Sequence, residues 1–310
     1  MMIQTPEYMD LLPPTVLSRF SKLRLLARGF VEGFKSGDHR SPYIGSSTEF
    51  AEHREYSPGD DPRGLDWRVY GKMDRYYIKQ YVEETNLRAT ILLDASASMS
   101  FVGDSAAEVA GKRLSKFDCA RHLAAAIAYL LTQQGDAVGL VNFDAEVRER
   151  LPAASTASHL QRLLQSMHKL RPGGESKLAG VMHEMAQQIP RRGLVVVVSD
   201  FLDDVPAVIK ALHHLKHRKH ELVLFHVLAD EEIRFPYSSA TEFRNLEQIA
   251  EQIDLDPETI RREYLSQFNR YLEELELGCG QLEADYVRIC TNELYEDCLA
   301  DYLASRMGRR

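Results

Sequence analysis

From residue 89 onward, the hydrophobic positions alternate between short continuous runs and longer segments with helical spacing. Continuous apolar runs rich in Val, Ile and Leu predict strands buried on both faces. These runs lie at 89–93, 137–143, 194–198 and 222–228. Apolar residues at helical spacing predict helices at 117–131, 157–170, 178–189 and 205–217. Strands that alternate with helices in this way predict a doubly wound, mostly parallel sheet flanked by helices.

Further elements are predicted beside this alternating core. Residues 147–151 are placed to form a hairpin partner for the strand before them. Residues 256–258 read Asp-Pro-Glu, which is a capping residue, a Pro at the first helical position and an acid in the first turn. We therefore expect a helix from there to about residue 277, then a strand at 286–289 and a closing helix at 293–305.

The first 88 residues have a different pattern. Residues 16–34 have apolar residues at helical spacing with basic residues between them, which predicts an amphipathic helix docked on the protein body. After a segment punctuated by Gly, Ser and Pro, residues 66–70 and 75–82 are rich in Tyr, Ile and Val and predict strands. We therefore divide the chain into a small strand-containing extension, residues 1–88, and an α/β domain, residues 89–310.

Composition and charge restrict the function. The net charge is −8, and because acidic and basic residues balance in 1–88, it lies in the α/β domain. An acidic domain argues against nucleic acid as a partner and suits a cation or a basic protein surface. The N-terminal residues lack the pattern of a signal peptide, and the longest apolar run, 123–131, is too short for a membrane span. We expect a soluble, cytoplasmic protein.

Two acidic residues follow buried strands. Asp94 comes after Ile-Leu-Leu, and Asp200 comes after Val-Val-Val-Val-Ser. The carboxyl ends of parallel strands lie at one edge of the sheet, where ligands bind in such folds. The sequence offers no obvious positive partner for these carboxylates, so they would repel each other unless a cation were bound.

The first loop supplies further oxygen ligands. Asp94, Ser96 and Ser98 alternate after the strand, so that their side chains can converge on one point. A carboxylate and two hydroxyls are the hard ligands that Mg²⁺ or Mn²⁺ prefers, and a further loop can add Ser176. The alternative is that Asp94 only caps a helix and that the serines are solvated.

These motifs resemble a known metal centre. The first loop, the segment Gly-Gly-Glu-Ser and the end of the strand before Asp200 are similar to the metal-ion-dependent adhesion site of von Willebrand factor A domains. The resemblance implies metal ligands at Asp94, Ser96, Ser98, Ser176 and Asp200, with one coordination position left for a carboxylate of a protein partner. The second loop departs from the family, which has Thr where this chain has Glu175-Ser176. If Glu175 aligns instead, the site gains a charge.

A longer motif extends the resemblance over nearly the whole chain. Residues 57–67, Ser-Pro-Gly-Asp-Asp-Pro-Arg-Gly-Leu-Asp-Trp, with Glu49-Phe50 before them, resemble the signature of the bacterial domain-of-unknown-function 58 family. Members of that family are associated with MoxR-type AAA ATPases. The resemblance implies an adaptor for such an ATPase, chaperone-like, in the maturation or assembly of client proteins.

The signature segment itself allows two interpretations. Its charged side chains can form ion pairs that brace a rigid turn, or they can form a surface for a partner. Trp67, the only Trp in the chain, is expected to anchor a core or an interface. The charged positions concerned are Asp60, Asp61, Arg63 and Asp66.

Three functions remain open. The favoured one is a non-enzymatic, divalent-metal-dependent protein-binding adaptor. The second is a magnesium-dependent phosphoryl-transfer hydrolase that uses Asp94, although Ser96 stands where such enzymes usually have a second Asp. The third is a structural scaffold with a vestigial metal site.

Overall fold

The computed structural model describes most of the chain and groups it into two compact units. The smaller unit is Lys35–Asn86, and the larger unit is Met1–Phe34 together with Leu87–Arg310. The residues that the structure describes are 10–13, 16–19, 50–57, 65–81, 87–109, 111–190, 192–238, 241–244, 246–247, 252–255 and 257–308.

This division differs from the predicted one at the N-terminus. Leu11, Leu12 and Val16 are buried in the core of the larger unit. The Leu11 carbonyl accepts a hydrogen bond from Nδ1 of His122, at 3.2 Å. These apolar contacts attach the first part of the chain to the α/β domain. Of the predicted helix at 16–34, residues 16–19 are described and are helical.

The smaller unit is a two-stranded antiparallel ribbon with a short helix. It contains β1 (Phe50–Glu55), α1 (Trp67–Met73) and β2 (Tyr77–Tyr81), and β1 pairs with β2. The predicted strand at 66–70 is therefore wrong. The Asp66 side chain accepts hydrogen bonds from the backbone N–H groups of Arg68 and Val69, and this N-cap starts a helix despite the strand-like composition.

The signature segment is described only at its ends. Asp60, Asp61 and Arg63 lie outside the described residues, so their roles stay predictions. Trp67 is 65% exposed and contacts Tyr70 edge-on, so the core position is wrong, while its role as an interface anchor stays a prediction.

The larger unit contains the predicted alternation of strands and helices. Its strands are β3 (Arg88–Asp94), β4 (Glu108–Val109), β5 (Lys112–Arg113), β6 (Ala137–Phe143), β7 (Val147–Ala154), β8 (Leu194–Ser199), β9 (Glu221–Leu228), β10 (Thr241–Arg244), β11 (Gln252–Leu255) and β12 (Asp285–Cys290). Its helices are α2 (Lys116–Thr132), α3 (Ala157–Lys169), α4 (Leu178–Gln188), α5 (Val205–His217), α6 (Asp230–Arg234), α7 (Pro257–Gln281) and α8 (Tyr295–Gly308). The small hairpins β4–β5 and β10–β11 and the helix α6 were not predicted.

A six-stranded sheet organises this unit, in the order β12-β9-β8-β3-β6-β7. All neighbouring pairs are parallel except β6 and β7, which are antiparallel as the predicted hairpin required. The chain runs outward from β3 to β6 and then returns to β8 on the other side of β3. The strand order therefore reverses between β3 and β8, and the carboxyl ends of these strands form the crevice where ligands bind in doubly wound sheets.

Helices cover both faces of the sheet, as predicted. The side chain of Ile91 belongs to the apolar cluster on one face, and that of its neighbour Leu92 to the cluster on the other. Burial on both faces explains the continuous apolar runs of the central strands. Among the helices of the described residues, none is both long enough and apolar enough to span a bilayer.

Candidate functional site

The first loop of the site begins at the carboxyl end of β3. Asp94 and Ser96 are fully buried, and the Ser96 backbone N–H donates to Asp94 Oδ1 at 2.8 Å. This turn places Ser96 Oγ 3.1 Å from Ser98 Oγ. The short 3-10 helix that follows has Ser96, not Asp94, at its N-cap position. The alternative that Asp94 only caps a helix is therefore wrong.

The neighbouring strand β8 brings a second pair of polar residues to the same edge. Ser199 Oγ donates to Asp94 Oδ2 at 2.6 Å and accepts from the Phe201 backbone N–H at 2.9 Å. Asp200 follows directly and is fully buried. Because β3 and β8 pair in parallel, the two aspartates emerge at one edge, as predicted. No local pattern distinguishes Ser199 as the partner of Asp94.

The second loop is attached to the first by backbone hydrogen bonds. The Gly173 N–H donates to the Ala95 carbonyl at 2.8 Å, and the Ala97 N–H donates to the Gly174 carbonyl at 2.9 Å. Gly174 has a φ of +82°, and a Cβ there would lie 2.8 Å from an Asp144 carboxylate oxygen. Only glycine accommodates both the left-handed backbone and this close approach.

An arginine holds the second loop from its other side. Arg148 Nε donates to Asp144 Oδ2 at 2.6 Å, and its Nη1 donates to the Arg171 carbonyl at 2.7 Å. Asp144 follows β6 and Arg148 lies in β7, so the antiparallel edge of the sheet positions this loop. The planar guanidinium group of Arg148 can donate hydrogen bonds to the Asp144 carboxylate and to the loop carbonyl at the same time.

Within this loop, Ser176 and Glu175 differ in their surroundings. Glu175 is exposed. The Ser176 Oγ is shielded from solvent and has no hydrogen-bond partner among the described residues. A buried hydroxyl without a partner is unfavourable unless it binds something else. This observation favours Ser176 over Glu175 as the second-loop ligand.

A buried lysine is the unexpected member of the site. Lys116, the first residue of α2, places its Nζ 2.8 Å from Asp200 Oδ2 and 2.7 Å from Glu232 Oε1. The Lys116 and Asp200 side chains are each 1% exposed. The expectation that the site lacks a positive partner is therefore wrong for Asp200, although Lys116 and Asp200 are too far apart in sequence for a motif to reveal the pair.

The two aspartates experience different electrostatic environments. Burial, followed by repulsion from Asp200, raises the pKa of Asp94 to about 7, against the hydrogen bonds from Ser199 and Ser96. Burial alone would raise the pKa of Asp200, but Lys116 outweighs it, with a contribution from the Ser98 hydroxyl, so the net direction is downward. Asp94 is thus the carboxylate whose negative charge lacks compensation.

The residues present fit a hard divalent cation. Two carboxylates and two neighbouring hydroxyls converge at one edge, and the buried Ser176 hydroxyl lies in the adjoining loop. Among the residues that the structure describes, no group of three or more His, Cys, Asp or Glu side chains could hold a metal alone. A cation here would therefore depend on serine hydroxyls, which are ligands of the hard type that Mg²⁺ and Mn²⁺ accept.

Another carboxylate reaches the site from the connection between β10 and β11. Burial raises the pKa of Glu247, hydrogen bonds from the Ser176 backbone N–H and the Ser98 hydroxyl oppose the rise, and the carboxylates of Asp200 and Glu175 add to it. The sequence did not single out Glu247, because its segment is distant from the other loops along the chain.

Aromatic residues of α7 pack beside the site. Tyr264, Phe268 and Tyr271 follow helical spacing, and consecutive rings lie 5.6 and 5.9 Å apart. The Tyr271 hydroxyl donates to the Phe201 carbonyl at 2.8 Å. The helix therefore holds the backbone directly after Asp200.

The chain is similar to a described protein family and to mycobacterial proteins. A family model described as "Protein of unknown function DUF58" matches residues 52–273. An uncharacterized protein of Mycobacterium bovis and another of Mycobacterium tuberculosis are each 27% identical over 252 residues, which covers 80% of this chain and 76% of each relative.

The chain is also distantly similar to proteins of known structure. BatB from Bacteroides thetaiotaomicron is 15% identical, with a TM-score of 0.44, and the match covers 73% of this chain and all of that one. The SpRpn10 VWA domain is 13% identical, with a TM-score of 0.40, and the match covers 69% of this chain and 94% of that one.

Proposed function

Because the chain belongs to the DUF58 family, whose description assigns no activity, we propose a function from the site itself. The protein is a non-enzymatic, divalent-metal-dependent adaptor that binds other proteins. The observation that carries this proposal is the convergence of Asp94, Ser96, Ser98 and Asp200 at the carboxyl edge of β3 and β8, with the unused Ser176 hydroxyl beside them.

The proposed ligands differ in what each would supply to a bound cation. Both oxygens of Asp94 already accept hydrogen bonds, from the Ser96 N–H and the Ser199 hydroxyl. The Ser96, Ser98 and Ser176 hydroxyls are the neutral oxygen donors of the site. The aspartates then supply the negative charge that holds Mg²⁺ or Mn²⁺. A bound cation would supply an electrophilic position for an acidic side chain of a partner protein.

The same hydrogen bonds disfavour the hydrolase alternative. A nucleophilic carboxylate needs an oxygen that is accessible to substrate. Asp94 is fully buried, and each of its oxygens accepts a short hydrogen bond. The buried Asp94 carboxylate can therefore supply negative charge to the site, but its oxygens are poorly placed to attack a phosphorus atom.

One observation favours the scaffold as second candidate. The Lys116 ammonium already neutralises Asp200 from within the protein. A site whose charge is satisfied internally can persist without a metal ion. In that case Asp94, Ser96 and Ser98 would only brace the sheet edge, and removing a carboxylate would leave partner binding unchanged.

Metal titration separates these possibilities. Calorimetry of the full chain with MgCl₂ and MnCl₂ is expected to show binding that Asp94→Asn abolishes, whereas Asp104→Asn leaves it intact because the Asp104 side chain is 99% exposed. The asparagine keeps the volume of the buried side chain, and circular dichroism checks that the variant folds. Absence of binding, or equal binding by Asp94→Asn, overturns the metal-dependent adaptor.

The proposed partner is a MoxR-type AAA ATPase, together with a client protein. Family resemblance supports this choice, and the acidic charge of the α/β domain suits a basic protein surface. Co-purification of the full chain with such an ATPase, with Mg²⁺ and with a chelator, tests it. Binding that is lost with the chelator and with Asp94→Asn is expected, and metal-independent binding contradicts the proposed role of the site.

A further inference from the structure

The strand β12 forms one edge of the six-stranded sheet. Among the strands of the described residues, only β9 pairs with it, in parallel. The Thr291 N–H donates to the Leu228 carbonyl at 2.9 Å, which fixes the backbone groups that point towards β9. Because these groups alternate in direction along a strand, the N–H and C=O groups of Tyr286 and Arg288 point away from β9. The edge therefore offers hydrogen-bonding groups to an incoming strand.

The helices α7 and α8 line a groove along this edge together with β12. The Tyr302 hydroxyl donates to Asp285 Oδ2 at 2.7 Å, so Asp285 faces α8. Arg288 Nη2 donates to Glu276 Oε2 at 3.1 Å, so Arg288 faces α7. Since the groove contacts side chains from both faces of β12, it runs across the open edge of the strand. Its volume is about 550 Å³, which is within the range of ligand-binding sites.

The groove is acidic. Both of its arginines already pair with carboxylates, Arg288 with Glu276 and Arg306 with Asp285. Two further acids are exposed and add negative charge, Glu293 and Asp301. The backbone groups of an edge strand accept any extended chain, so the charge of the groove selects a basic one.

We propose that this groove binds an extended, basic segment of a partner protein, which joins the sheet as a strand beside β12. The backbone groups of Tyr286 and Arg288 would bond the backbone of that segment, and its Lys or Arg side chains would lie near Glu293 and Asp301. A second copy of this chain is disfavoured, because it would bring an equally acidic groove to the same edge. The groove shares no residue with the candidate metal site, so this inference does not require a cation.

Selection from a library of random linear peptides against the full chain, with a chelator present, tests this inference. We expect enrichment of peptides in which Lys or Arg alternates with β-branched residues. N-methylation of alternate amides in a selected peptide should abolish binding in one register and spare it in the other, because only one edge of an added strand faces β12. Fluorescence polarisation measures each affinity.

Two substitutions at one position form a matched pair. Arg288→Pro removes an outward N–H, which an edge strand tolerates, whereas Arg288→Ala loses the same side chain and keeps the N–H. The selected peptide should bind Arg288→Pro at least about tenfold more weakly than the native chain. It should bind Arg288→Ala at least as tightly as the native chain. Circular dichroism checks the fold of both variants.

The charge of the groove is tested separately. The double variant Glu293→Gln with Asp301→Asn should bind the peptide more weakly than the native chain. The control is Glu273→Gln with Glu274→Gln, which removes two exposed acids of α7 that do not line the groove. It should bind as the native chain does, and equal losses in the two double variants would contradict selection by the groove.

Other outcomes identify a different occupant or site. The inference is overturned if no peptide is enriched, if both registers of N-methylation act equally, or if folded Arg288→Pro binds like Arg288→Ala. A dimer in analytical ultracentrifugation that Arg288→Pro dissociates would assign the edge to a second copy instead. Loss of peptide binding in Asp94→Asn would place the peptide at the candidate metal site. Failure of the metal-dependent adaptor leaves this test unaffected, because the selection excludes free cations.

Discussion

The ammonium of Lys116 lies 2.8 Å from the carboxylate of Asp200, and both side chains are almost completely buried. Burial alone would lower the pKa of Lys116, but Asp200 and then Glu232 reverse this effect and raise it. The pair therefore stays fully charged in the interior. It joins the start of α2 to the end of β8, and through Glu232 to α6.

Removing this lysine should destabilise the fold. Lys116→Met leaves Asp200 buried without its partner, and we expect the free energy of unfolding to fall by about 3–5 kcal/mol. Lys112→Met is the control, because Lys112 is 74% exposed and pairs with Asp118 at 3.5 Å, and it should cost less than about 1 kcal/mol. Urea denaturation measures both, and similar losses would contradict the importance of the buried pair.

Stability should fall in mild acid because of His122. Burial lowers the pKa of His122 from 6.5 to about 4, against the hydrogen bond to the Leu11 carbonyl. His122 thus binds a proton more readily in the unfolded chain than in the folded protein. The stability that the folded protein gains from neutral His122 is complete above about pH 6.5 and is lost as the pH falls towards 4. For this shift, the loss amounts to about 3 kcal/mol.

A substitution isolates this effect. His122→Asn keeps a side-chain N–H for the Leu11 carbonyl and removes the titrating group. The unfolding free energy of this variant should depend less steeply on pH between 6.5 and 4. His217→Asn, at an exposed position of α5, should keep the native slope. An unchanged slope in His122→Asn would contradict the assignment.

Two glycines should respond to alanine in opposite directions. A Cβ on Gly193 would lie 2.5 Å from the Arg88 carbonyl oxygen, whereas one on Gly180, in α4, would meet no atom within 4 Å. Gly193→Ala should destabilise the protein by about 1–3 kcal/mol, since backbone must shift. Gly180→Ala should stabilise it by about 0.5–1 kcal/mol through helix propensity. Thermal unfolding measures both changes, and a stabilised Gly193→Ala would refute the close approach.

Ser98 and Ser100 allow a matched pair of variants that tests the proposed metal binding. Ser98→Ala removes a proposed ligand, and we expect Mn²⁺ affinity to fall on the order of tenfold or more. Ser100 lies in the same short helix, and its exposed hydroxyl donates to the Ala97 carbonyl at 2.6 Å. Ser100→Ala is therefore the control. It should bind Mn²⁺ as the native chain does. Equal affinities of the two variants would exclude Ser98 as a ligand.

The central strands could be predicted because burial on both faces leaves a continuous apolar run, as at 194–198. The same pattern placed Asp94 and Asp200 at one edge. Prediction failed at 67–73, where Tyr and Val suggested a strand but the Asp66 cap started a helix. The residue composition of a segment indicates only its average preference for strand or helix, whereas an N-cap starts a helix through a few specific hydrogen bonds.

The residues of the site that could not be predicted from the sequence depend on contacts between distant segments. Lys116 begins an ordinary helix after Ser115, which caps it, and nothing local marks it as the partner of Asp200. Glu247 reaches Ser98 and Ser176 from another loop. Such pairs arise only when the fold brings their segments together, so no spacing rule within one segment reveals them.

The loops of the site are joined through backbone atoms, since Gly173 and Gly174 bond to Ala95 and Ala97 by amides and carbonyls alone. The atoms that attach the second loop to the first are therefore separate from the Ser176 hydroxyl. Side chains such as Ser176 can be exchanged without moving the loops that carry them. Exchange of the Ser176 side chain would therefore change the oxygen donors of the proposed metal site while the backbone of the two loops keeps its shape.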